Sequence, residues 1–168
     1  SGDLILFAYL FALGRFFTAS AALDTGSAFE GMGAAREVTF SCLAEPAMFF
    51  GFLVLAKLSG SLALTTMLDG LSASGWSVAG ASLVLVAASL FIVLLVENSR
   101  IPFDDPNTHL ELTMIHEVMV RDHSGPAFGM ILYGAAMKLF VMGALFLRIV
   151  APFDSGDAWA DWGIFVAG

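Results

Sequence analysis

The sequence predicts an all-α integral membrane protein: a bundle of four complete transmembrane helices and a partial fifth, with an acidic cytoplasmic loop that contains a short helix. Composition is the first indication, because 58% of the residues are hydrophobic and only 13% are charged, whereas soluble domains carry about 25% charged residues. Mean hydropathy is +0.86. The second indication is several apolar runs near the ~20 residues that a helix needs to cross a bilayer. We expect one transmembrane domain, 1–168, with the loop at 97–126.

Four apolar runs are the predicted complete spans, and the hydrophilic segments between them are the predicted connections. The spans cover Asp3–Ala22, Glu37–Leu58, Val78–Val96 and Ala127–Val150, and a fifth begins near Trp162. The connections are Leu23–Arg36, Ser59–Ser77, Glu97–Pro126 and Ala151–Asp161.

Loop arginines predict the orientation of the bundle. Arg36, Arg100 and Arg121 all lie in the first and third connections, and the other two connections have no lysine or arginine. The positive-inside rule therefore makes the first and third connections cytoplasmic. All three tryptophans then fall on the outer side, as in an interfacial aromatic belt: Trp76, Trp159 and Trp162.

Charge and cysteine content exclude several classes of protein. The net charge of −8 argues against nucleic-acid binding. Cys42 is the single cysteine, so the chain alone forms no internal disulfide, iron–sulfur cluster or cysteine-type zinc site. His116–Glu117 is not followed by the second histidine of a zinc-protease helix. We predict no catalytic residue, no metal site and no cleavable signal peptide.

Three ionisable residues lie inside predicted spans, where such groups are costly and usually face a bundle interior or a wet cavity. Arg15 and Glu45 share a depth in the predicted topology, so we expect them to interact, either as a structural ion pair or as part of a proton relay. Pro46 removes a backbone donor beside Glu45. Lys138 lies at the midpoint of its span with no neighbour in sequence to neutralise it, which favours a functional role because a buried lysine shifts its pKa readily.

The loop after the third span has features beyond those of a plain connector. Glu97 ends the span, and Arg100 is predicted to pair with Glu97 or Asp104. Pro102 and Pro106 keep Ile101–Asp105 out of helical conformation. Asp105 is predicted to cap a short helix over Asn107–Val120 with Pro106 at its first position.

One acidic residue of this predicted helix is out of place. Glu111 falls within the apolar face, so it is expected to be paired or to have a raised pKa. A solvated acidic connector remains the alternative for the whole loop. The residues proposed for a proton path are Arg15, Glu45, Glu97, Asp104, Asp105, Glu111, Glu117 and Lys138.

The stretches ENSRIPFDDPNTHLELTMIHEVMV and GRFFTASAALDTGSAFEGMGAARE closely resemble the membrane-anchor subunits of formate hydrogenlyase and other energy-converting [NiFe] hydrogenases. The wider family includes the membrane subunit that lines the quinone site of respiratory complex I. The loop motif of this wider family, E-x-x-R-x-P-F-D, is matched here by Glu97, Arg100, Pro102, Phe103 and Asp104. The family also has an arginine followed nine residues later by a glutamate, and Arg36 and Glu45 match this pair. The family members are longer, so this chain resembles their middle portion.

The resemblance implies a function that the residues alone do not establish. It implies a subunit of a prokaryotic cytoplasmic (inner) membrane complex that links redox chemistry to ion movement. The implied partners are the hydrogenase large and small subunits and antiporter-like membrane subunits. The [NiFe] and iron–sulfur centres would belong to those partners, and Arg36, Arg100, Pro102 and Phe103 would organise the loop.

Two alternative functions remain at this point. The first is the quinone-site subunit of a complex I-like NADH dehydrogenase, the only alternative in which quinone would bind. Complex I subunits usually carry acids where Asn107 and His109 stand here, which favours the hydrogenase branch. The second is a stand-alone ion transporter. Transporter folds often have inverted repeats and paired broken helices, whereas this sequence has one proline-interrupted span and no internal repeat, which argues against this alternative.

Overall fold

The computed structural model of the chain describes residues 3–69, 73–104, 114–150 and 163. It describes the side chains of all these residues except 73–78. These residues form six helices and no strand: α1 Asp3–Asp24, α2 Ala28–Ser59, α3 Leu64–Asp69, α4 Ala73–Glu97, α5 His116–Val120 and α6 Gly125–Val150. Helices α1, α2 and α6, and the Ala79–Glu97 part of α4, are long and apolar enough to cross a membrane. The predicted fold class, an all-α membrane protein, is confirmed.

The first predicted connection, Leu23–Arg36, is wrong in its extent. Helix α1 continues to Asp24, Gly26 turns the chain with a φ of +68°, and α2 begins at Ala28. Hydropathy alone assigns residues 28–36 to a loop because they include Glu30 and two glycines. In the structure Glu30 and Gly33 are buried on the helix, so tertiary contacts account for the nine extra helical residues.

The second predicted connection, Ser59–Ser77, is also partly helical. It contains α3 and the first turn of α4, which is separated from the rest of α4 by non-helical backbone angles at Ala79. The Ala151–Asp161 connection, the fifth span and the three tryptophan side chains of the predicted belt lie outside the described residues.

Helix α4 ends in a Schellman motif. Ser99 takes the left-handed conformation with a φ of +46°. The Arg100 amide donates to the Leu95 carbonyl at 2.9 Å, and the Ser99 amide donates to the Val96 carbonyl at 3.1 Å. These are the two hydrogen bonds that define the motif. The chain then turns through Ile101–Asp104 without helix, as the prolines predict.

The short helix predicted over Asn107–Val120 begins later than expected within the described residues. Met114 and Ile115 are not helical, and α5 begins at His116. The Asp104 carboxylate accepts the backbone amides of Ile115 at 3.1 Å and His116 at 2.9 Å, which satisfies two donors at the start of α5. The predicted cap at Asp105, Pro106 and the Asn107–Thr113 part of the helix lie outside the described residues.

Helix α2 is the centre of the packing. It contacts α1, α3, α4 and α5. Phe52 and Leu55 of α2 and Leu83 of α4 are among the most buried side chains of the main core. At Gly51 the helix approaches α4 so closely that an added Cβ would lie 3.3 Å from Leu90 Cδ2.

A smaller apolar cluster joins α5 to the start of α2 and the end of α1. Its buried members are Ala22, Ala34, Ile115, Met119 and Val120. The two segments predicted to share one side of the membrane, 23–36 and 97–126, are therefore in direct contact through their described parts.

Candidate functional site

Four charged side chains from four different helices meet inside the bundle and form the ion cluster. They are Arg15 of α1, Glu45 of α2, Glu97 of α4 and Lys138 of α6. Arg15 Nη1 donates to Glu45 Oε1, and Arg15 Nη2 donates to both oxygens of Glu97 at 2.5 Å. Lys138 Nζ lies 3.0 Å from Glu97 Oε2. The contact predicted between Arg15 and Glu45 is present.

Two predictions for this group need correction. Lys138 was predicted to have no local partner, yet it pairs with Glu97, which is distant in sequence. Arg100 was predicted to pair with Glu97 or Asp104. Within the described residues Glu97 binds Arg15 and Lys138, and Asp104 binds backbone amides. Arg100 itself is exposed.

Glu97 also lies deeper than the end of a span would suggest. Its partner Lys138 lies thirteen residues, about 20 Å, from the start of α6 at 1.5 Å per residue. Glu45 lies seventeen residues, about 26 Å, from the start of α2. Helix α4 therefore ends in the middle of the bundle, beside longer helices that continue past it.

The ion cluster is balanced in formal charge, with two cations and two carboxylates. The side chains of Arg15 and Glu97 are 8% and 3% exposed, whereas those of Lys138 and Glu45 are 23% and 37% exposed. Removing charges from water is costly unless each is paired. The planar guanidinium of Arg15 can bridge two carboxylates because its donors form a rigid fork. Arg15 and Lys138 also offset the partial negative charge at the C-terminus of α4.

A cavity of about 210 Å³ adjoins the cluster. Its walls come from α1, α2, α4 and α6, and Arg15, Glu45 and Glu97 form its polar part. The other lining residues lie between Arg15 and the N-terminus of α1, as Tyr9 does, between Glu45 and the C-terminus of α2, as Phe49 does, or between Lys138 and the C-terminus of α6, as Met142 does. The cavity therefore extends from the cluster away from the loop that follows α4. The rest of the lining is mainly apolar, so the charged end at the cluster is where the cavity can hold water.

Glu37 is a fifth ionisable residue near the cluster, and sequence reasoning missed it. It lies within electrostatic range of Lys138, Glu97 and Arg15. Ser99 Oγ donates to Glu37 Oε2 at 3.5 Å. The prediction placed Glu37 at the boundary of a span, where a carboxylate is usually solvated. Glu37 is half-buried, and Ser99 and the ion cluster lie beside it.

A second group of contacts holds the described parts of the loop against α2. Arg36 Nη1 donates to the Met114 carbonyl at 3.1 Å. Asp104 binds the amides of Ile115 and His116, and Phe103 packs edge-on against Phe40 with ring centroids 6.0 Å apart. Asp104 is thus brought to the start of α5 and bonds its backbone there. The organising roles of Arg100 and the exposed Pro102 stay predictions.

Glu30 is another buried acid that the sequence did not reveal. Its side chain is 1% exposed, Oε1 accepts the Asp122 amide at 2.9 Å, and Oε2 accepts the Thr25 hydroxyl. His123 Nδ1 lies 3.9 Å from Glu30 Oε1. These contacts join the α5–α6 turn to the α1–α2 turn. No periodic pattern marked Glu30, because the segment around it was predicted to be a solvated loop.

A larger cavity of about 830 Å³ lies between α5 and α6. His116, Glu117, Arg121 and His123 contribute polar groups to its lining, and Phe128 is among the apolar ones. Burial and, after it, the positive charge of Lys138 hold the pKa of His116 below its ordinary value. The Nε2 atom of His116 is shielded from solvent and has no hydrogen-bond partner among the described residues.

The remaining predicted site residues do not join the ion cluster. Glu117 is exposed in the first turn of α5, and Asp105 and Glu111 lie outside the described residues. In residues 3–69, 73–104 and 114–150 no three histidine, cysteine, aspartate or glutamate side chains converge on a metal-sized site.

Comparisons with known proteins give a family and two relatives. The family described as NADH dehydrogenase matches residues 1–160. Hydrogenase-4 component C from Escherichia coli (strain K12) is 38% identical over 152 residues, which cover 90% of this chain and 47% of that protein. Formate hydrogenlyase subunit 4 from the same strain is 32% identical over 167 residues, which cover 99% of this chain and 53% of that protein. The chain spans about half the length of these relatives, and no solved structure was found to match it.

Proposed function

The chain belongs to the NADH dehydrogenase family, and from that premise we propose that it is a membrane subunit of a hydrogenase complex of the formate hydrogenlyase type. In this proposal it anchors the soluble hydrogenase arm and links the chemistry of that arm to proton movement. Two relatives whose names are those of hydrogenase components support the hydrogenase branch over the NADH dehydrogenase branch.

The ion cluster is the observation that carries the proposal. Arg15, Glu45, Glu97 and Lys138 place four ionisable groups at mid-depth of a bundle whose helices can span a membrane. Such groups are rare in membrane interiors and commonly mark ion pathways. Glu45 borders the 210 Å³ cavity and is the most exposed member of the cluster, so it is the carboxylate best placed to exchange a proton.

The proposed docking face is the surface formed by residues 98–104 and 114–124. Arg36 and Glu30 of α2 bind the described parts of this surface, and Asp104 joins its two segments to each other. Ile101 is 59% exposed on it, although it is apolar. The relatives named as hydrogenase components support a protein partner for this surface, and the exposed Arg100 and Glu117 suit the polar rim of a protein interface.

The proposed partners supply the redox centres. Hydrogenase large and small subunits would hold the [NiFe] and iron–sulfur centres, and antiporter-like membrane subunits would take part in ion movement. Quinone binding belongs only to the complex I-like alternative. The multi-pass subunit would sit in a prokaryotic cytoplasmic membrane with the docking face in the cytoplasm.

Site-specific photocrosslinking in membranes tests the docking proposal. A photoreactive residue at Ile101 should capture a soluble subunit that co-purifies with nickel and with hydrogen evolution. The matched control is the same residue at Leu85 of α4, which is 72% exposed but far along the apolar helix from the docking face. Capture of a soluble nickel-containing subunit from Leu85 but not from Ile101 would contradict the proposed face, and a complex without nickel would contradict the hydrogenase assignment.

A further inference from the structure

His116 lines the 830 Å³ cavity and lies within electrostatic range of Lys138, a member of the ion cluster. Its side chain lines the cavity, yet its Nε2 atom is shielded from solvent. The charge of Lys138, which pairs with Glu97 in the cluster, acts on its ring. The residue therefore borders an open space, while one of its ring nitrogens is shielded from solvent and the charge of the ion cluster reaches the ring.

The backbone around His116 is held in place by charged side chains. Asp104 accepts its amide at 2.9 Å, and Arg36 binds the carbonyl of Met114, two residues earlier. Met119 packs against α2 where an added Cβ on Gly33 would lie 2.9 Å from Met119 Cγ. An imidazole on such a fixed backbone keeps a defined place relative to both the cavity and the interior.

We propose that His116 passes protons between the cavity of α5 and α6 and the ion cluster, and this inference rests on the proton coupling proposed above. A neutral imidazole has one N–H donor and one acceptor nitrogen. Uptake of a proton at the acceptor nitrogen gives the imidazolium, and release of the proton from the other nitrogen returns a neutral ring with the opposite tautomer. Rotation of the ring, or the reverse exchange, then restores the starting state, so no other reactant is needed.

The charges around His116 suit a proton carrier that stays neutral between transfers. Burial and Lys138 lower its pKa, Asp104 raises the pKa, and Arg100 lowers it. A ring whose pKa is lowered is rarely protonated at rest and gives up an added proton readily. The charged and titratable groups that face it or share its cavity are Asp104, Arg100, Lys138, Glu117, Arg121 and His123.

The test compares His116→Gln with His123→Gln in proteoliposomes of the complete complex. Both histidines line the same cavity, and glutamine keeps hydrogen-bonding capacity without titrating in this range. The expected result is that proton movement per hydrogen evolved falls about tenfold or more in His116→Gln and is kept in His123→Gln. Normal coupling in His116→Gln would overturn this inference alone, whereas a wild-type complex that moves no protons would overturn both it and the coupling proposal.

Chemical rescue separates proton transfer from a structural role. His116→Ala leaves space that opens on the cavity, which is large enough to admit free imidazole. Added imidazole should restore proton movement in a dose-dependent way, and it should have no effect in His123→Ala. Failure of imidazole to restore proton movement in an assembled His116→Ala complex would contradict the role.

A measurement with His116 intact covers the case in which its variants do not assemble. With His109 and His123 both replaced by glutamine, His116 is the single histidine of these 168 residues. Nuclear magnetic resonance spectra of the histidine-labelled subunit, compared with spectra of one that also carries His116→Gln, identify the signal of its ring by difference. The ring should titrate below the ordinary histidine pKa and exchange its proton with water. A ring that keeps one tautomer and one protonation state across the accessible pH range would overturn the inference.

Discussion

At the residue scale, the charge balance of the ion cluster determines what each substitution should do. Glu97 has two cationic partners and is almost fully buried, whereas Glu45 has Arg15 as its ion-pair partner among the described residues and is partly exposed. Removal of any one member leaves a net charge inside the bundle. Removal of Lys138 together with Glu45 leaves Arg15 and Glu97 as a neutral pair.

Lys138→Met should therefore destabilise the fold, and adding Glu45→Gln should recover much of the loss. Breaking a buried pair typically costs about 3–5 kcal/mol, and the partial exposure of Lys138 should reduce that to about 3 kcal/mol or less. Thermal unfolding midpoints of the purified single and double variants measure the effect. Losses that simply add in the double variant would show that the two residues do not share one balanced cluster.

His116 should make stability depend on pH in mildly acidic solution. Its pKa in the folded chain is lowered by burial and by Lys138, so the unfolded chain binds more protons there as the pH falls below about 6.5. Stability should then fall with pH through that window, and His116→Gln should reduce the slope. Unfolding midpoints of the two proteins over a pH series measure this, and identical slopes would contradict the environment described for His116.

The sequence predicted the contact between Arg15 and Glu45 but not the contact between Glu97 and Lys138, and the difference has a physical reason. Arg15 and Glu45 lie on adjacent antiparallel spans, so counting residues from the helix ends sets them at one depth. Glu97 and Lys138 could not be matched in this way. Their contact depends on α4 ending at mid-depth while α6 continues past it, which is a property of the packed bundle.

At the element scale, the close approach of α5 to α2 fixes the loop after α4. Gly33 is the contact point, because an added Cβ there would lie 2.9 Å from Met119 Cγ and 3.0 Å from the Ile115 carbonyl oxygen. The Ile115 carbonyl oxygen is a backbone atom, so it cannot move away from an added Cβ without shifting the start of α5. The sequence indicated a short amphipathic helix here, but hydropathy could not reveal that residues 28–36 are a helix that buries Glu30 and Gly33 against it.

Gly33→Ala should loosen α5 and cost about 1–3 kcal/mol, as overpacking of a close contact does. Gly31→Ala in the same helix is the control, since its nearest neighbour would be Leu23 Cδ2 at 4.0 Å. Hydrogen exchange at the amides of α5 should rise in Gly33→Ala and remain unchanged in Gly31→Ala. Equal exchange in both variants would contradict the packing of α5 on α2.

At the scale of the whole molecule, the two segments that face one another on one side of the bundle define its orientation. Contacts of Glu30 with Asp122 and of Arg36 with Met114 place the α1–α2 turn and the described parts of the loop after α4 on the same side. The positive-inside rule predicts that this side is the cytoplasm.

Cysteine labelling of intact and opened cells tests that orientation. In a Cys42→Ser background, a cysteine at Asp24, which is exposed beside the α1–α2 turn and lies outside the docking face, should react with an impermeant reagent only in opened cells. A cysteine at Leu62, which is exposed in the α2–α3 connection at the other end of α2, should react in intact cells. The reverse pattern would invert the topology and place the docking face outside the cell.

The central claim is that the ion cluster couples hydrogen chemistry to proton movement through Glu45. Its most direct test is the ratio of protons moved to hydrogen evolved in proteoliposomes of the purified complex, with the wild-type chain and with Glu45→Gln. Asp69→Asn is the control, because Asp69 is an exposed acid 3.8 Å from Arg148 and far from the cluster. Glutamine keeps an oxygen that can accept from Arg15, but it has no group that takes up or releases a proton in this pH range. The account predicts that Glu45→Gln assembles and evolves hydrogen while its ratio falls about tenfold or more, with Asp69→Asn unchanged, and an unchanged ratio in Glu45→Gln would contradict it.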